Sequence, residues 1–181
     1  MLTLQRGVRL ADHTTLAVGG EAAAYVAVNG STELAAALDL AKAAGLQPVF
    51  LGGGSNCLVA DRGVEACVIA LRGGGISVAA DRRTVRANAG VMWDDLVSWS
   101  VTDGRSGIEA LSGIPGRVGA APIQNIGAYG QELADCLVSV EVLDRRTGAL
   151  QVIAAGDCGL AYRYSHFKGD WRDRYVVLSV A

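Results

Sequence analysis

The stretch from Ile108 to Gly130 constrains this chain more than any other. It reads Ile-Glu-Ala-Leu-Ser-Gly-Ile-Pro-Gly-Arg-Val-Gly-Ala-Ala-Pro-Ile-Gln-Asn-Ile-Gly-Ala-Tyr-Gly. It holds five glycines and two prolines, and only Glu109 and Arg117 carry charge. Neither a helical nor a strand period runs through it, so it reads as ordered loop with short helical turns. Apolar loops of this length are uncommon in compact domains and are more often functional than idle. A tight core crossover, with glycine relieving the crowding, is the plainer alternative.

Glycine supplies 24 of 181 residues, well above the roughly 7% norm, so close backbone approaches are expected throughout. The length suits one large domain or two small lobes. The composition, 51% hydrophobic and 6% aromatic, describes a core of Ala, Val and Leu. Formal charge is −2 and no basic stripe interleaves with aromatics, which argues against nucleic acid. Met1–Asp12 has no apolar leader and no run approaches a membrane span, so a cytoplasmic protein is expected. Cys57, Cys67, Cys136 and Cys158 are widely spaced, with only His13 and His166 beside them. No metal site is expected, and the cysteines read as buried reduced thiols.

Leu16 to Val28 reads as a strand entered through the Gly19-Gly20 turn. Ser31 is placed to cap a helix in which Leu34, Ala37, Leu38 and Ala41 share a face and which Gly45 ends. Pro48–Leu51 and Val64–Leu71 read as buried strands. Strand–helix–strand order favours parallel pairing. Gly73-Gly74-Gly75 marks a lobe boundary. Beyond it, Ile76–Val78 and Thr84–Ala89 read as strands, and Trp93–Thr102 as a helix burying Trp93, Leu96, Val97 and Ser100. Leu137–Leu143 and Ala149–Ile153 form a hairpin, and Tyr175–Val180 a last strand.

Two stretches carry chemistry. Gly52-Gly53-Gly54-Ser55-Asn56 follows a strand directly. Three glycines bring backbone N–H groups to a ligand with no Cβ in the way, an anion nest that commonly holds a pyrophosphate. The third glycine of the dinucleotide fingerprint is missing, and a simple flexible turn is the alternative. In Ala161–Lys168, Arg163 lies between two tyrosines and near Lys168. It either clamps a carboxylate or pairs at the surface with Asp170 or Asp173.

These stretches together resemble one family, the flavin-dependent UDP-N-acetylenolpyruvoylglucosamine reductases of bacterial cell-wall synthesis. The residues that carry the resemblance run in the family's order. They are His13-Thr14-Thr15-Leu16 with Val18-Gly19-Gly20, then Leu51–Asn56, then Gly107–Gly130, then Tyr162-Arg163 with Ser165 and Phe167-Lys168. Four motifs in register make the match specific. Leu160 and Ala161 replace the usual Phe-Gly pair, and Cys57 and Asn88 are atypical. None of these removes a group the family's mechanism needs. The match covers almost all of this chain but about half of the family's protein. The family's substrate-binding domain, its protonating serine and its C-terminal glutamate have no counterpart in residues 1–181, so a truncated or excised flavin domain is expected.

The resemblance implies an α/β or α+β fold, the two-lobed FAD-binding domain of vanillyl-alcohol-oxidase (PCMH) type. A small parallel βαβ lobe would cover about residues 1–72, and a larger lobe with a mixed or antiparallel sheet about 75–181. It implies FAD held between the lobes, with NADPH as hydride donor and the enolpyruvyl group of a UDP-sugar as the group reduced. Gly52, Gly53, Gly54, Ser55 and Asn56 would grip the pyrophosphate from one side. Ser112, Gly113, Ile114, Pro115, Gly116, Gly119 and Ala120 would grip it from the other. Asn125, Gly127 and Tyr129 complete the cofactor set, and Ile114, Ile123 and Ile126 would bed the isoalloxazine. Arg163 would stabilise charge developing on the substrate carboxylate, with no partner beyond the small molecule and a monomer favoured. Another flavin oxidoreductase of the same fold, or a non-catalytic flavin-binding module, are the competing readings.

Overall fold

The structure, a computed structural model, describes residues 2–181. The chain divides into two compact units, Met1–Arg72 and Gly73–Ala181.

The first unit contains β1 (Val8–Arg9), a 3-10 turn at Leu10–His13, β2 (Glu21–Val28), α1 (Gly30–Ala43), β3 (Pro48–Leu51) and β4 (Val64–Leu71). Its sheet has the order β1-β2-β4-β3. β4 runs parallel to both β2 and β3, and β1 lies antiparallel on the edge. The expected parallel pairing is present, but β2 and β3 are not neighbours because β4 enters between them. Burial explains the choice: Ala66 to Ala70 are all buried, and a strand apolar on both faces belongs at the centre of a parallel sheet.

The strand expected from Leu16 begins only at Glu21, since Ala17 takes a left-handed φ of 52° that breaks extended structure. The helix also starts earlier than Ser31. Asn29 is its N-cap, and Glu33 reaches back to accept the Asn29 N–H at 2.6 Å. Leu34, Ala37 and Ala41 are fully buried at helical spacing, and α1 packs on β2 and β4. The alanines let helix and sheet approach closely. Below them Leu10, Ala22, Tyr25, Leu51, Val68 and Ala70 form one apolar cluster.

The second unit contains β5 (Ile76–Val78), β6 (Val85–Asn88), α2 (Trp93–Thr102), α3 (Ala121–Gln124), β7 (Gly127–Ala128), β8 (Gln131–Glu132), β9 (Ser139–Asp144), β10 (Leu150–Ala154) and β11 (Tyr175–Val180). The large sheet has the order β10-β9-β11-β6-β5, and every pairing in it is antiparallel. α2 buries Trp93, Leu96, Val97 and Ser100, the face its spacing requires. The Ile108–Gly130 run carries short helical turns at Glu109–Leu111 and Val118–Ala120, then α3, and ends in the β7–β8 hairpin.

Among the described residues, no helix is long and apolar enough to cross a membrane. All four cysteines are free; Cys67 and Cys158 are buried and Cys57 is half-buried. Cys136 departs from the expected burial. It follows the short turn Leu133–Asp135 and lies exposed, its thiol directed at the Leu133 carbonyl.

One buried charge anchors the end of β9. Asp144 is fully buried and accepts two bonds from the Arg174 guanidinium, at 3.1 and 2.8 Å, and one from the Arg146 N–H at 2.8 Å. The Arg174 hydrogen bonds hold its carboxyl below the ordinary range. A depressed folded pKa stabilises the fold above the unfolded value of about 4 and is lost as pH falls through the folded value. Asp144→Asn is therefore expected to lower Tm at pH 7, with the gap to wild type closing as pH falls below about 4. Thermal unfolding from pH 7 to 3 checks this; a constant gap would refute it. In the first unit, Leu34→Ala should cost about 3 kcal/mol in chemical denaturation.

Candidate functional site

The glycine-rich loop of the first unit leaves β3 at its carboxyl end, where ligands bind in open parallel sheets. Gly54 has φ 71°, and a Cβ built on it would lie 2.1 Å from the His13 carbonyl oxygen. Thr15 donates its N–H to the Gly54 carbonyl at 3.1 Å. The His13–Leu16 and Gly52–Asn56 motifs are thus one packed structure, and His13 stacks on Tyr25 with ring centroids 4.6 Å apart. The N–H groups of Gly53, Gly54 and Asn56 donate to no other described residue. A Cβ on Gly52 would meet nothing within 4 Å. Unclaimed N–H donors beside open space are the kind of backbone geometry that suits an anion.

In the second unit the Ser112–Ala120 run is held from the residues around the start of α2. Asp94 accepts the Ser112 hydroxyl at 2.8 Å and the Gly113 N–H at 2.7 Å, and these bonds lower its pKa. Trp93 donates its indole N–H to Leu111 O at 2.9 Å and its backbone N–H to Gly116 O at 3.0 Å. The N–H groups of Val118 and Gly119 go to Val91 O and Ala89 O, and those of Ser112, Ile114 and Ala120 close local turns. Arg117 donates to the Gly90 carbonyl. The backbone donors of Ser112, Gly113, Ile114, Gly119 and Ala120 are therefore committed within the unit. Pro115 has none, and Gly116 is buried. Ile114 and Ile123 remain half-buried, while Ile126 is taken into the core.

Arg163, Asn125, Gly127 and Tyr129 come together at a cavity of about 310 Å³, with Tyr162 and Glu132 also on its wall. Tyr164 donates its N–H to Ala161 O at 2.9 Å, closing a tight turn with Tyr162 and Arg163 at its corners. Opposite stands the two-residue hairpin Tyr129-Gly130, both with positive φ, the type I′ geometry. Six described non-glycine residues take left-handed φ, and three of them, Asn125 (41°), Tyr129 (50°) and Arg163 (54°), line this one cavity. Such conformations cost about 1–3 kcal/mol each and gather where a site needs a side chain that glycine cannot supply.

The Arg163 guanidinium touches Gly127 O at 3.3 Å and forms no ion pair among the described residues. Asp170 lies instead by His166 and Asp173 by Arg172, so the surface-pair alternative for Arg163 falls. Tyr129 and Tyr162 are 93% and 81% exposed. Asn125 is 1% exposed with its amide spent on protein partners, so it shapes the cavity rather than presenting donors to it.

Sequence reasoning missed Asp94, which caps the Ser112–Gly113 turn. It also missed Glu109 and Gln131, whose side chains bond at 2.9 Å while Gln131 also accepts the Ala110 N–H at 2.8 Å. The available signal was the glycine of Tyr129-Gly130, a residue that suits the second corner of a two-residue hairpin.

Residues 22–154 match the family model described as an FAD binding domain. The chain is 48% identical over 178 residues to the UDP-N-acetylenolpyruvoylglucosamine reductase of Thermobifida fusca, covering 97% of this chain and 49% of that protein. It is 45% identical over 174 residues to the same-named protein of Salinispora arenicola, covering 94% of this chain and 47% of that one. It therefore spans about half the length of the curated relatives it matches. Among solved structures, the UDP-N-acetylenolpyruvylglucosamine reductase of Thermus caldophilus superposes with a TM-score of 0.75 at 34% identity, over 99% of this chain and 61% of that one. A solvent-stable cholesterol oxidase superposes at 0.64 with 18% identity, over 99% and 37%, and shows the fold alone. With residues 22–154 matching its model, this chain belongs to the FAD binding domain family.

Proposed function

We propose that the chain is the flavin-holding part of an NADPH-dependent reductase that acts on UDP-N-acetylglucosamine enolpyruvate. The product would be UDP-N-acetylmuramate, made in the cytoplasm for peptidoglycan synthesis. The observation that carries the reading is Arg163, a cation without an ion-pair partner, held in a left-handed turn over a cavity. Its relatives' names supply the substrate class.

The residues present fit FAD. The N–H groups of Gly53, Gly54 and Asn56 suit a diphosphate, with Gly52 leaving room for it and Ser55 in the same loop. The Ser112–Ala120 run supplies contour more than donors, and Ile114 and Ile123 offer apolar surface to a flat ring. When bound, FAD supplies hydride transfer from NADPH to the enolpyruvyl double bond.

Arg163 meets the charge this creates. Electron density arriving beside the substrate carboxylate spreads onto its oxygens. A planar, permanently protonated guanidinium holds such an oxygen pair with two parallel bonds. Its turn is fixed in advance, so little reorganisation is needed as charge develops. Tyr129 and Tyr162 line the same cavity with exposed rings.

Two measurements test the reading. The 181-residue chain mixed with FAD and desalted should keep a flavin absorption spectrum. Gly52→Ala should bind FAD about tenfold more weakly, about 1.4 kcal/mol, at unchanged Tm. Equal flavin retention in both proteins would remove the loop from the cofactor site. In the complete enzyme, Arg163→Ala should keep flavin and lower reduction of the UDP-sugar by on the order of 100-fold, since one such donor is worth about 3 kcal/mol. Unchanged turnover would assign the charge to another group. Flavin retention without any UDP-sugar effect would favour a different flavin oxidoreductase or a non-catalytic module.

A further inference from the structure

The structure assigns Asn125 as the positioning residue for Arg163, an inference that rests on Arg163 meeting the substrate carboxylate. Asn125 is buried and holds three partners at once. Its Nδ2 donates to Ala161 O and to a Glu132 carboxylate oxygen, both at 2.9 Å, and its Oδ1 accepts the Ala134 N–H at 3.1 Å. These uses satisfy the amide, so it has no donor left for a ligand.

The Ala161 carbonyl is the important partner. It already accepts the Tyr164 N–H that closes the turn carrying Tyr162 and Arg163. Asn125 therefore grips that turn at its closing bond. Through Glu132, the same nitrogen grips β8, part of the hairpin that carries Tyr129. No strand pairing joins hairpin and turn among the described residues. Besides Lys168, whose ammonium donates to Arg163 O at 3.2 Å from the turn's own segment, the remaining ties are Arg163 to Gly127 O at 3.3 Å and Ser165 Oγ to Ile123 O at 2.9 Å. The first is long and the second lies beyond the corner. A left-handed arginine relaxes toward ordinary φ unless its surroundings hold it, and the Asn125 amide is the contact that bridges both walls. Asn125 itself takes a left-handed φ of 41°, which asparagine tolerates better than most residues.

Amide exchange is measured on the 181-residue chain, and substrate affinity on the complete enzyme. Asn125→Gly keeps the backbone conformation and removes the amide. Asn125→Asp keeps the shape but sets a carboxylate against Glu132, and serves if the glycine variant fails to fold. Either variant should speed exchange of the Tyr164 amide about tenfold while the amides of β9 and β11 keep their protection. In calorimetric titration with UDP-N-acetylglucosamine enolpyruvate, either variant should weaken binding about tenfold. In an Arg163→Ala background the same change should add nothing. Unchanged Tyr164 exchange overturns the inference, and so does an equal loss of affinity in both backgrounds. If Arg163→Ala alone leaves affinity unaltered, the proposed function fails, and the exchange measurement still decides the role of Asn125.

Discussion

An apolar loop can stay ordered only if its peptide groups find partners without a ladder, because a buried unpaired N–H or carbonyl costs about as much as a lost hydrogen bond. In the Ile108–Gly130 run that demand is met largely by residues 89–94, the junction of β6 and α2. Ala89, Gly90 and Val91 offer carbonyls, Trp93 offers two N–H groups, and Asp94 offers a carboxylate. Trp93 is also among the largest fully buried side chains, so the helix start is fixed by packing before the loop uses it. The turn closes on one carboxylate oxygen of Asp94, which accepts the Gly113 N–H and the Ser112 hydroxyl, and these bonds lower the Asp94 pKa. Loop order and helix start are consequently one structure, and the glycines make the approach possible. A Cβ on Gly119 would lie 2.7 Å from that of Ala89.

The same loop then delivers strain where it matters. Glycine would relieve the left-handed backbone at Tyr129 and Arg163, but it would remove the ring and the guanidinium. Keeping those side chains requires neighbours that hold the backbone, and these are Asn125, Ser165 and Lys168, whose ammonium reaches the Arg163 carbonyl at 3.2 Å. The other left-handed non-glycine residues, Ala17, Arg82 and Asp173, line no part of this cavity.

Much of this was legible in the sequence because it rests on local period and local turns. The buried faces of α1 and α2, the strands β3, β4 and β11, and the glycine-rich nest follow from residue spacing alone. What was not legible depends on partners distant in sequence. The insertion of β4 between β2 and β3 is a matter of which strand is most apolar on both faces. The start of α1 at Gly30 depends on Glu33 folding back to Asn29. Asn125 entered the cofactor set only through the family resemblance, which carries no information on burial. Its burial follows from contacts to Ala161 and Ala134, residues on two other segments. Spacing also could not tell that Ile126 turns into the core while Ile114 and Ile123 stay half-buried.

The ligands proposed here are anions, yet the chain carries a net charge of −2. Net charge therefore supplies no overall attraction for them, and contacts made at hydrogen-bond distance carry the affinity. The two anion-binding devices answer this differently. The nest uses neutral N–H dipoles held by the close packing of Gly54 on His13, so its donors stay aligned whether or not an anion is present. The Arg163 site uses a full charge on a long side chain, whose alignment must be maintained by its neighbours. A guanidinium can pair with both oxygens of a carboxylate only when the planes of the two groups coincide. With no net positive charge to compensate for misalignment, the contacts that fix the turn, above all the Asn125 amide on Ala161, decide whether that charge can be used.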